Sequence, residues 1–232
     1  MGKINICVVG KQGRMGQLAI TAIRESSDLS YQVGVGRQDN LKQVLCAERP
    51  DVVIDVADAP TIYQRTDTVL AQNIPLVIGA SGLIVAQREA LQLAYPDARV
   101  LEVPNFSLGS IGMQYCAEFL ARYMHEVSII ERHHIQKKDT PSGTASACQQ
   151  RIAQQMGCAV GDIPIHSLRS VGVLAEQEIT YAKDGESLRL IHQCINRSAY
   201  QSGLLLALRN VSSLQKWHIG LEKYLPSWPN TN

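Results

Sequence analysis

Short apolar runs alternate with segments of helical periodicity in the N-terminal part of the chain. The run "INICVVG" has a strand pattern that ends in glycine, and "MGQLAITAIRES" after it carries apolar residues at helical spacing. Further strand patterns follow in "YQVGVG", "DVVIDVA", "PLVIGA" and "ARVLEVPN", and "APTIYQRTDTVLAQN" has a helical pattern. Strands that alternate with helices predict an α/β fold, in which helices cover both faces of a parallel sheet.

The pattern changes after Asn105. Helical spacing in "SIGMQYCAEFLARYM" and "TASACQQRIAQQMG" flanks the strand pattern "VSIIERHHI". The alternating segments "PIHSLRSVG", "EQEITYAKD" and "ESLRLIHQCINR" then predict a mostly antiparallel sheet in a second, α+β domain. No strand pattern follows the last helical run, "YQSGLLLALRNVSSL", which we expect to return to the first domain. The predicted domains are therefore 1–105 with 198–232, and 106–197.

Composition excludes several classes of protein. The chain has 232 residues, a net charge of +1 and no run of like charges, so neither a nucleic acid nor a membrane surface is an expected partner. The six cysteines have no metal-ligand spacing, which predicts reduced thiols and no bound metal. The N-terminus is unlike a signal peptide, and no segment approaches the roughly 18 apolar residues of a membrane span. We expect a cytoplasmic protein.

A glycine-rich turn follows the first strand pattern. Gly10, Gly13 and Gly16 stand between that strand and the first helix. Glycines permit a tight turn and let backbone N–H groups approach a pyrophosphate, whose charge the helix N-terminus favours. A plain strand-to-helix turn is the alternative. The position of the turn at the start of a βαβ series favours a Rossmann-like dinucleotide-binding domain.

The end of the second strand bears on the choice of coenzyme. An NAD-selective site usually has an acidic residue there, which accepts a hydrogen bond from the ribose 2′-hydroxyl. This chain has Gly36 and then Arg37, with Asp39 close behind. We expect the 2′-phosphate of NADPH to gain a charge-assisted partner in Arg37 and to meet no adjacent carboxylate, so that NADPH is favoured over NADH. The alternative is a solvated arginine on a turn.

The stretch "ERHHIQKKDTPSGTA" predicts an anion-binding helix start. Thr140 is a suitable N-cap, with Pro141 at the first helical position. The N–H groups of Ser142, Gly143 and Thr144 are then unpaired by the helix and aligned with its dipole. They would form a cradle for a carboxylate or a phosphate. A well-capped helix after a lysine-rich loop is the structural alternative.

The strand before this turn adds candidate acid–base groups. Alternation along "SIIERHHIQKK" places His133 and Lys137 on one face, and His134 and Lys138 on the other. A histidine titrates near neutrality and can shuttle a proton, while a lysine can bind a carboxylate or act as an acid. Each residue alone is more often structural or solvated. Together with the predicted cradle, His133 and Lys137 favour a functional site.

The same stretch resembles the E-x-H-H-x-x-K-x-D-x-P-S-G-T-A signature of the dihydrodipicolinate reductases. The segments "VVGKQGRMG", "PLVIGASG" and "VPNFSLG" resemble that family's cofactor segments in the same order, and the likeness extends to "GESLRLIHQCINRSAY". The resemblance implies hydride transfer from NADPH or NADH to C4 of a cyclic, unsaturated imine dicarboxylate, in diaminopimelate and lysine synthesis. It also implies a homotetramer built through the sheet of the second domain.

The resemblance assigns roles to individual residues. It makes His133 the proton donor or acceptor and Lys137 a second donor. The implied contacts to the substrate carboxylates are His134, Ser142, Gly143 and Thr144. The implied cofactor contacts are Gly10, Lys11, Gln12, Gly13, Arg14, Met15, Gly36, Arg37, Gly79, Ala80, Ser81, Val103, Pro104, Asn105 and Phe106.

Some residues depart from the pattern of the family. Ala80 stands where threonine is common, and Ala57 and Asp58 replace a hydroxyl residue and an arginine or neutral residue. These changes fall on the coenzyme contacts and leave the His133–Lys137 pair untouched.

A short-chain dehydrogenase is excluded because no tyrosine is followed four residues later by lysine. A semialdehyde dehydrogenase is not favoured, since Cys116 falls in an apolar helical run rather than at a reactive turn. A non-catalytic NADPH-binding sensor, or another two-domain nicotinamide oxidoreductase, is the alternative function.

Overall fold

A computed structural model describes residues 2–225 of the protein. The chain divides into two compact units, the first formed by Met1–Phe106 with Tyr200–Asn232 and the second by Ser107–Ala199. Within residues 2–225, every helix is too short or too polar to cross a bilayer.

The first unit is a parallel sheet with six strands, in the order β10-β5-β4-β3-β1-β2. The strands are β1 (Ile4–Val9), β2 (Leu29–Val35), β3 (Val52–Asp55), β4 (Leu76–Ile78), β5 (Val100–Glu102) and β10 (His218–Ile219). The helices of this unit are α1 (Arg14–Glu25), α2 (Leu41–Glu48), α3 (Ile62–Leu70), α4 (Val85–Ala94) and α7 (Gln201–Asn210). The prediction of a doubly wound, Rossmann-like α/β fold is confirmed.

The central strands of this sheet are apolar throughout because both of their faces are covered. Ile6 and Val8 on one face of β1, and Cys7 on the other, are fully buried. Strand β1 pairs with β2 on one side and with β3 on the other. The direction in which successive strands are added to the sheet therefore reverses between β1 and β3. Ligands of open α/β sheets bind at the carboxyl ends of the strands beside such a switch point.

Strand β10 was not expected. The sequence predicts no strand after the last helical run, and this prediction is wrong. His218 pairs with Leu101 and Ile219 with Glu102, in parallel with β5. Two residues cannot display a strand periodicity, so the pairing depends on the β5 edge that receives them.

The second unit is a sheet with four strands, in the order β7-β6-β8-β9. Its elements are α5 (Leu108–Leu120), β6 (Glu126–His134), α6 (Gly143–Met156), β7 (Ile165–Ser170), β8 (Ala175–Lys183) and β9 (Glu186–Cys194). Strand β8 runs antiparallel to both β6 and β9, and β6 runs parallel to β7. The predicted α+β unit with a mostly antiparallel sheet is confirmed.

One face of this second sheet packs against α5 and α6. Ile129, Ile179 and Tyr181 are fully buried there, with Ala117 of α5 and Ile152 of α6 in the same core cluster. Towards the end of β6 that face changes character, because its next inward residue is the buried carboxylate of Glu131.

Candidate active site

The glycine turn after β1 borders a cleft of about 900 Å³ in the first unit. Gly10 has a φ of +89°, and a Cβ on Gly16 would lie 2.1 Å from the carbonyl oxygen of Gly10. Helix α1 begins at Arg14, and its N-cap Gly13 brings no side chain to the helix end. The first N–H groups of α1 are therefore accessible to a pyrophosphate, and the cleft fits a dinucleotide.

The structure places the predicted cofactor contacts on neighbouring strand ends. Those that line the cleft are Gly10, Gln12, Gly13, Gly36 and Arg37. Lys11, Arg14 and Met15 lie in the same turn and in the start of α1. The rest follow β4 (Gly79, Ala80, Ser81) and β5 (Val103, Pro104, Asn105, Phe106).

The ends of β4 and β5 lie against each other. The backbone N–H groups of Gly79 and Ala80 both donate to the carbonyl oxygen of Asp55, at 2.8 and 3.0 Å. A Cβ on Gly79 would lie 2.5 Å from the ring of Phe106, so only glycine lets these two segments meet. Sequence patterns indicated both segments, and the contact between them comes from the fold.

A buried ion pair shapes one wall of the cleft and was missed by sequence reasoning. Asp55, at the end of β3, accepts a hydrogen bond of 2.7 Å from Arg65 Nε and one of 3.0 Å from the N–H of Ala57. Arg65 also donates to the carbonyl oxygen of Asp58 at 2.9 Å. Burial raises the pKa of Asp55, although Arg65 and Ala57 oppose this shift. The pair holds the 57–61 loop that lines the cleft.

The end of the cleft at Arg37 contains two carboxylates. Asp58 Oδ2 lies 2.9 Å from Arg37 Nη2, so the prediction that a 2′-phosphate at Arg37 meets no adjacent carboxylate is wrong. The sequence could not reveal this pair because the two residues belong to different βα connections. Asp39 accepts from the N–H of Gly36 at 2.8 Å and from Lys11 Nζ at 2.6 Å. Both bonds, that from Lys11 first, hold the pKa of Asp39 below its usual value.

The second candidate site lies at the end of β6, in the second unit. The strand ends at His134, and the chain turns at Ile135 and Gln136. The prediction that Lys137 shares a strand face with His133 is therefore wrong. Lys137 is nevertheless kept close, because its N–H donates to the carbonyl oxygen of His134 at 3.0 Å. Its ammonium group lies 2.8 and 2.9 Å from the carboxylate oxygens of Asp139.

The start of α6 differs from the prediction by two residues. Ser142, not Thr140, is the N-cap, since its hydroxyl oxygen accepts from the N–H of Ala145 at 3.2 Å. Pro141 consequently precedes the helix instead of starting it. Gly143 and Thr144 lie in the first turn as predicted, and a Cβ on Gly143 would meet nothing within 4 Å.

The predicted cradle already has internal acceptors. The N–H of Ser142 is not available to a ligand, because it donates to Glu131 Oε1 at 3.2 Å. The pKa of Asp139 is held below its usual value first by its bond from Lys137, with a smaller contribution from the N–H of Gly143. A ligand carboxylate would therefore compete with Asp139 for Lys137 and Gly143, while Thr144 and His134 remain beside it.

A buried carboxylate that sequence reasoning missed organises this site. Glu131 is fully buried and accepts from His133 Nδ1 and, bidentately, from Arg169 Nη1 and Nη2 at 2.9 and 3.0 Å. Burial pushes the pKa of Glu131 upward, but hydrogen bonds from Arg169, Ser167 and His133 hold it below its usual value. The carboxylate is ionised at neutral pH.

The pKa of His133 is lowered. Burial is the largest cause, and the positive charges of Lys137 and Arg169 add to it, while Glu131 opposes the shift. His133 is thus mostly neutral at neutral pH, with Nδ1–H donated to Glu131 and Nε2 left to exchange a proton. Residues 2–225 contain no group of three His, Cys, Asp or Glu side chains that could hold a metal ion. The predicted absence of a metal stays a prediction.

A dinucleotide cleft in one unit, and an acid–base cluster beside a capped helix in the other, define a nicotinamide dinucleotide-dependent oxidoreductase of two domains. Two family models match the chain, "Dihydrodipicolinate reductase, N-terminus" over residues 4–106 and "Dihydrodipicolinate reductase, C-terminus" over residues 110–225. The chain belongs to the dihydrodipicolinate reductase family.

Individual relatives agree with this assignment. The chain is 32% identical to the 4-hydroxy-tetrahydrodipicolinate reductase of Mycolicibacterium smegmatis, with 96% of this chain and 99% of that protein covered. It is 34% identical to the enzyme of that name from Legionella pneumophila, with 96% and 100% covered.

Solved structures give the same result for the fold. The dipicolinate-bound dihydrodipicolinate reductase from Paenisporosarcina sp. TG-14 superposes with a TM-score of 0.83 at 27% identity, covering 96% of this chain and 100% of that one. The myo-inositol 2-dehydrogenase of Lactobacillus plantarum, at 8% identity and a TM-score of 0.66, covers 93% and 91% and shares the fold alone.

Proposed function

We propose that the protein reduces 4-hydroxy-tetrahydrodipicolinate, or the dihydrodipicolinate formed from it, to tetrahydrodipicolinate in diaminopimelate and lysine synthesis. The observation that carries this proposal is the cluster of His133, Lys137 and the α6 N-terminus around the buried Glu131 carboxylate. The names of the relatives and the dipicolinate in the Paenisporosarcina structure support it.

The substrate is a small cyclic imine with two carboxylates. Lys137 supplies a full positive charge for one of them, and the N–H groups of Gly143 and Thr144 at the start of α6 supply neutral donors. His134 and the Ser142 side chain complete the proposed set of substrate contacts. Because Asp139 is exposed, with 59% of its side chain accessible, its bond to Lys137 is readily exchanged for one to a ligand.

Proton transfer is assigned to His133 and Lys137. The bound coenzyme supplies a hydride to C4 of the conjugated imine, and the resulting enamine needs a proton on carbon. With Nδ1 of His133 held by Glu131, Nε2 is the nitrogen that exchanges this proton, and the ammonium of Lys137 is the second donor.

The coenzyme would be held by the glycine turn after β1 and by the residues that follow β2, β4 and β5. NADPH is the preferred form and NADH is also accepted. The support is Arg37, whose side chain is 86% exposed at the edge of the cleft and whose ion pair with Asp58 is exposed enough to open. A 2′-phosphate offers Arg37 a stronger, bidentate partner than this single carboxylate.

The protein acts as a homotetramer that is assembled through the second unit. The face of its sheet opposite α5 and α6 exposes 62% of Ile191 and 44% of Leu168. On that face Arg132 pairs with Glu176 and Glu178. Such a mixture of apolar side chains and ion pairs suits an interface between copies of one chain.

All six cysteines lie in the described part of the chain as free thiols, which fits the cytoplasm as the location of the protein.

A coupled assay tests the activity directly. Dihydrodipicolinate is generated enzymatically in the cuvette, and the loss of NADPH is followed by absorbance after the protein is added. Turnover that depends on both substrate and protein supports the proposal. Binding of NADPH without turnover would identify a coenzyme sensor instead.

A further inference from the structure

We propose that Glu131 and Arg169 are positioning residues for the proton-transfer groups. Glu131 fixes the His133 ring, and Arg169 fixes both the Glu131 carboxylate and the backbone beside Lys137. This inference rests on the proposed function of the site and adds two residues to it. Neither residue is needed to touch the substrate.

The Glu131 carboxylate connects three parts of the second unit. Its Oε2 atom accepts from His133 Nδ1 on the same strand, and its Oε1 atom accepts from the N–H of Ser142 at the start of α6. Arg169 on β7 donates to both oxygens. A carboxylate with this many donors cannot rotate without breaking several bonds, so the His133 ring has one preferred orientation.

Arg169 connects this carboxylate to the chain around Lys137. Its Nε atom donates to the carbonyl oxygen of Lys137 at 3.4 Å, and Nη2 donates to that of Asp139 at 2.7 Å and to Thr140 Oγ1 at 3.1 Å. Every guanidinium nitrogen is therefore engaged, and only 18% of the side chain is exposed. One planar group holds His133 through Glu131 and Lys137 through its backbone.

Stability alone does not account for this arrangement. A buried ion pair is often neutral or unfavourable relative to apolar residues of similar volume, because desolvation offsets the attraction. The inner face of the sheet is otherwise packed with residues such as Ile129 and Ile179, which would extend over this position at lower cost. A polar network at the end of an apolar face, in contact with a candidate catalytic histidine, has the form of a functional support.

The charges that face His133 determine how the network affects its titration. Glu131 lies on β6, Lys137 on the following loop and Arg169 on β7, while the β8 residue opposite His133 is the uncharged Ala175. Glu131 is the one of these groups that raises the pKa of His133. Its neutralisation should lower that pKa further, and the His133-dependent limb of the pH–rate profile should move to lower pH.

The first experiment uses the wild-type protein and requires no turnover. Nitrogen NMR of protein labelled in histidine, with the His133 resonances assigned by comparison with His133→Ala, identifies the protonated ring nitrogen. The expected result at neutral pH is the Nδ1–H tautomer, with a strongly hydrogen-bonded proton. A neutral Nε2–H tautomer would overturn the role of Glu131, whether or not the protein proves to be a reductase.

The second experiment is a double-mutant comparison in the dihydrodipicolinate assay. Glu131→Gln keeps the shape but turns an N–H₂ group towards the donors of Arg169 and Ser142, so kcat should fall by about 10–100-fold with NADPH binding unchanged. In a His133→Ala background the same change should lower kcat by almost nothing further, because the histidine through which Glu131 acts is already absent. Equal losses in both backgrounds would show that Glu131 does not act through His133.

Arg169 and a control pair complete the set. Arg169→Lys retains the charge but not the bidentate geometry, and it should lower kcat both in the wild type and in the His133→Ala background, since it also releases Lys137. The control is Glu118→Gln, which removes a carboxylate 3.1 Å from Arg151 between α5 and α6 and should leave kcat unchanged. If Arg169→Lys retains normal kcat, the proposed role of Arg169 is wrong. If the wild-type protein itself shows no reductase activity, the result counts instead against the proposed function.

Discussion

Arg37 Nη2 lies 2.9 Å from Asp58 Oδ2 at the edge of the dinucleotide cleft. This pair places an internal carboxylate where we propose that the 2′-phosphate of NADPH binds. Charge-assisted hydrogen bonds contribute roughly 1.5–3 kcal/mol, so Arg37→Ala should raise the KM for NADPH by about tenfold or more and leave that for NADH nearly unchanged. Steady-state kinetics with both coenzymes measures the effect.

Asp58→Asn is the matched change on the other side of this pair. It removes a competitor for Arg37 and should lower the KM for NADPH several-fold, with little change for NADH. The two variants should therefore shift coenzyme preference in opposite directions. Equal effects of either variant on NADPH and NADH would exclude Arg37 as the selective group.

The four basic side chains of "HHIQKK" should differ in importance. General acid–base assistance is typically worth about 10²–10⁴-fold, so His133→Ala and Lys137→Ala should each lower kcat by an amount in that range. Lys138 is exposed beyond the end of the strand, and Lys138→Ala should have little effect.

Coenzyme binding provides the control for these variants. NADPH titrations by fluorescence should give the same Kd for all three proteins, because the altered residues lie in the second unit. If Lys138→Ala lowers kcat as much as Lys137→Ala, the assignment of Lys137 is wrong. The same conclusion holds for His133 if its removal leaves kcat near normal.

The anchoring of α7 should depend on pH. Arg209 on α7 forms a bidentate pair with Asp28, at 2.8 and 2.9 Å. The bonds from Arg209, then that from Ser26, hold the pKa of Asp28 far below its usual value of about 3.9. A depressed folded-state pKa means that the pair stabilises the fold above that usual value and that this contribution is lost on further acidification.

Arg209→Ala should therefore lower Tm at neutral pH, and its difference from the wild type should shrink as the pH falls below about 4. Arg99→Ala is a suitable control because Arg99 donates to the backbone carbonyl of Asn73 and not to a carboxylate. Thermal unfolding followed by circular dichroism at several pH values distinguishes the two. A Tm difference for Arg209→Ala that is independent of pH would contradict the proposed contribution of Asp28.

Two helical glycines should respond to alanine in opposite directions. A Cβ on Gly203 in α7 would lie 2.0 Å from the carbonyl oxygen of Phe106, whereas one on Gly112 in α5 would meet nothing within 4 Å. Gly203→Ala should lower the free energy of unfolding by roughly 1–3 kcal/mol or more through overpacking. Gly112→Ala should raise it by about 0.4–1 kcal/mol, because alanine restricts the unfolded chain. Urea unfolding of both variants measures the two shifts. A Gly203→Ala protein with the same free energy of unfolding as the wild type would refute the predicted clash.

Local pattern predicted much of the architecture. Every strand pattern of the sequence corresponds to a strand of the structure, and short local segments indicated both the glycine turn after β1 and the polar end of β6. These features are local because apolar periodicity and turn chemistry act on residues that are neighbours in the chain. Strand β10, with two residues and no periodicity, was not predicted, and neither were the helices α2 and α4.

The position of Lys137 shows where local pattern stops being sufficient. The alternating pattern of the sequence continues past His134, but the strand ends there. The last residue of β6 with a β8 partner is His133, opposite Ala175. Strand ends are decided by the partner strand, and the sequence of β6 alone contains no information about where β8 begins. The N–H of Ser142 is likewise bound by Glu131, 11 residues earlier in the chain, which short-range pattern does not show.

The sequence by itself determined the fold class, the family and the two segments that contain the candidate site, since each depends on residue types at short spacing. The tertiary structure alone decided that Glu131 binds His133 and Arg169, and that Asp58 reaches Arg37. Arg169 and Glu131 are 38 residues apart, and Arg37 and Asp58 are 21 apart. An ion pair forms between side chains that the sheet register and the loops bring within about 3 Å, and that distance is a property of the folded chain.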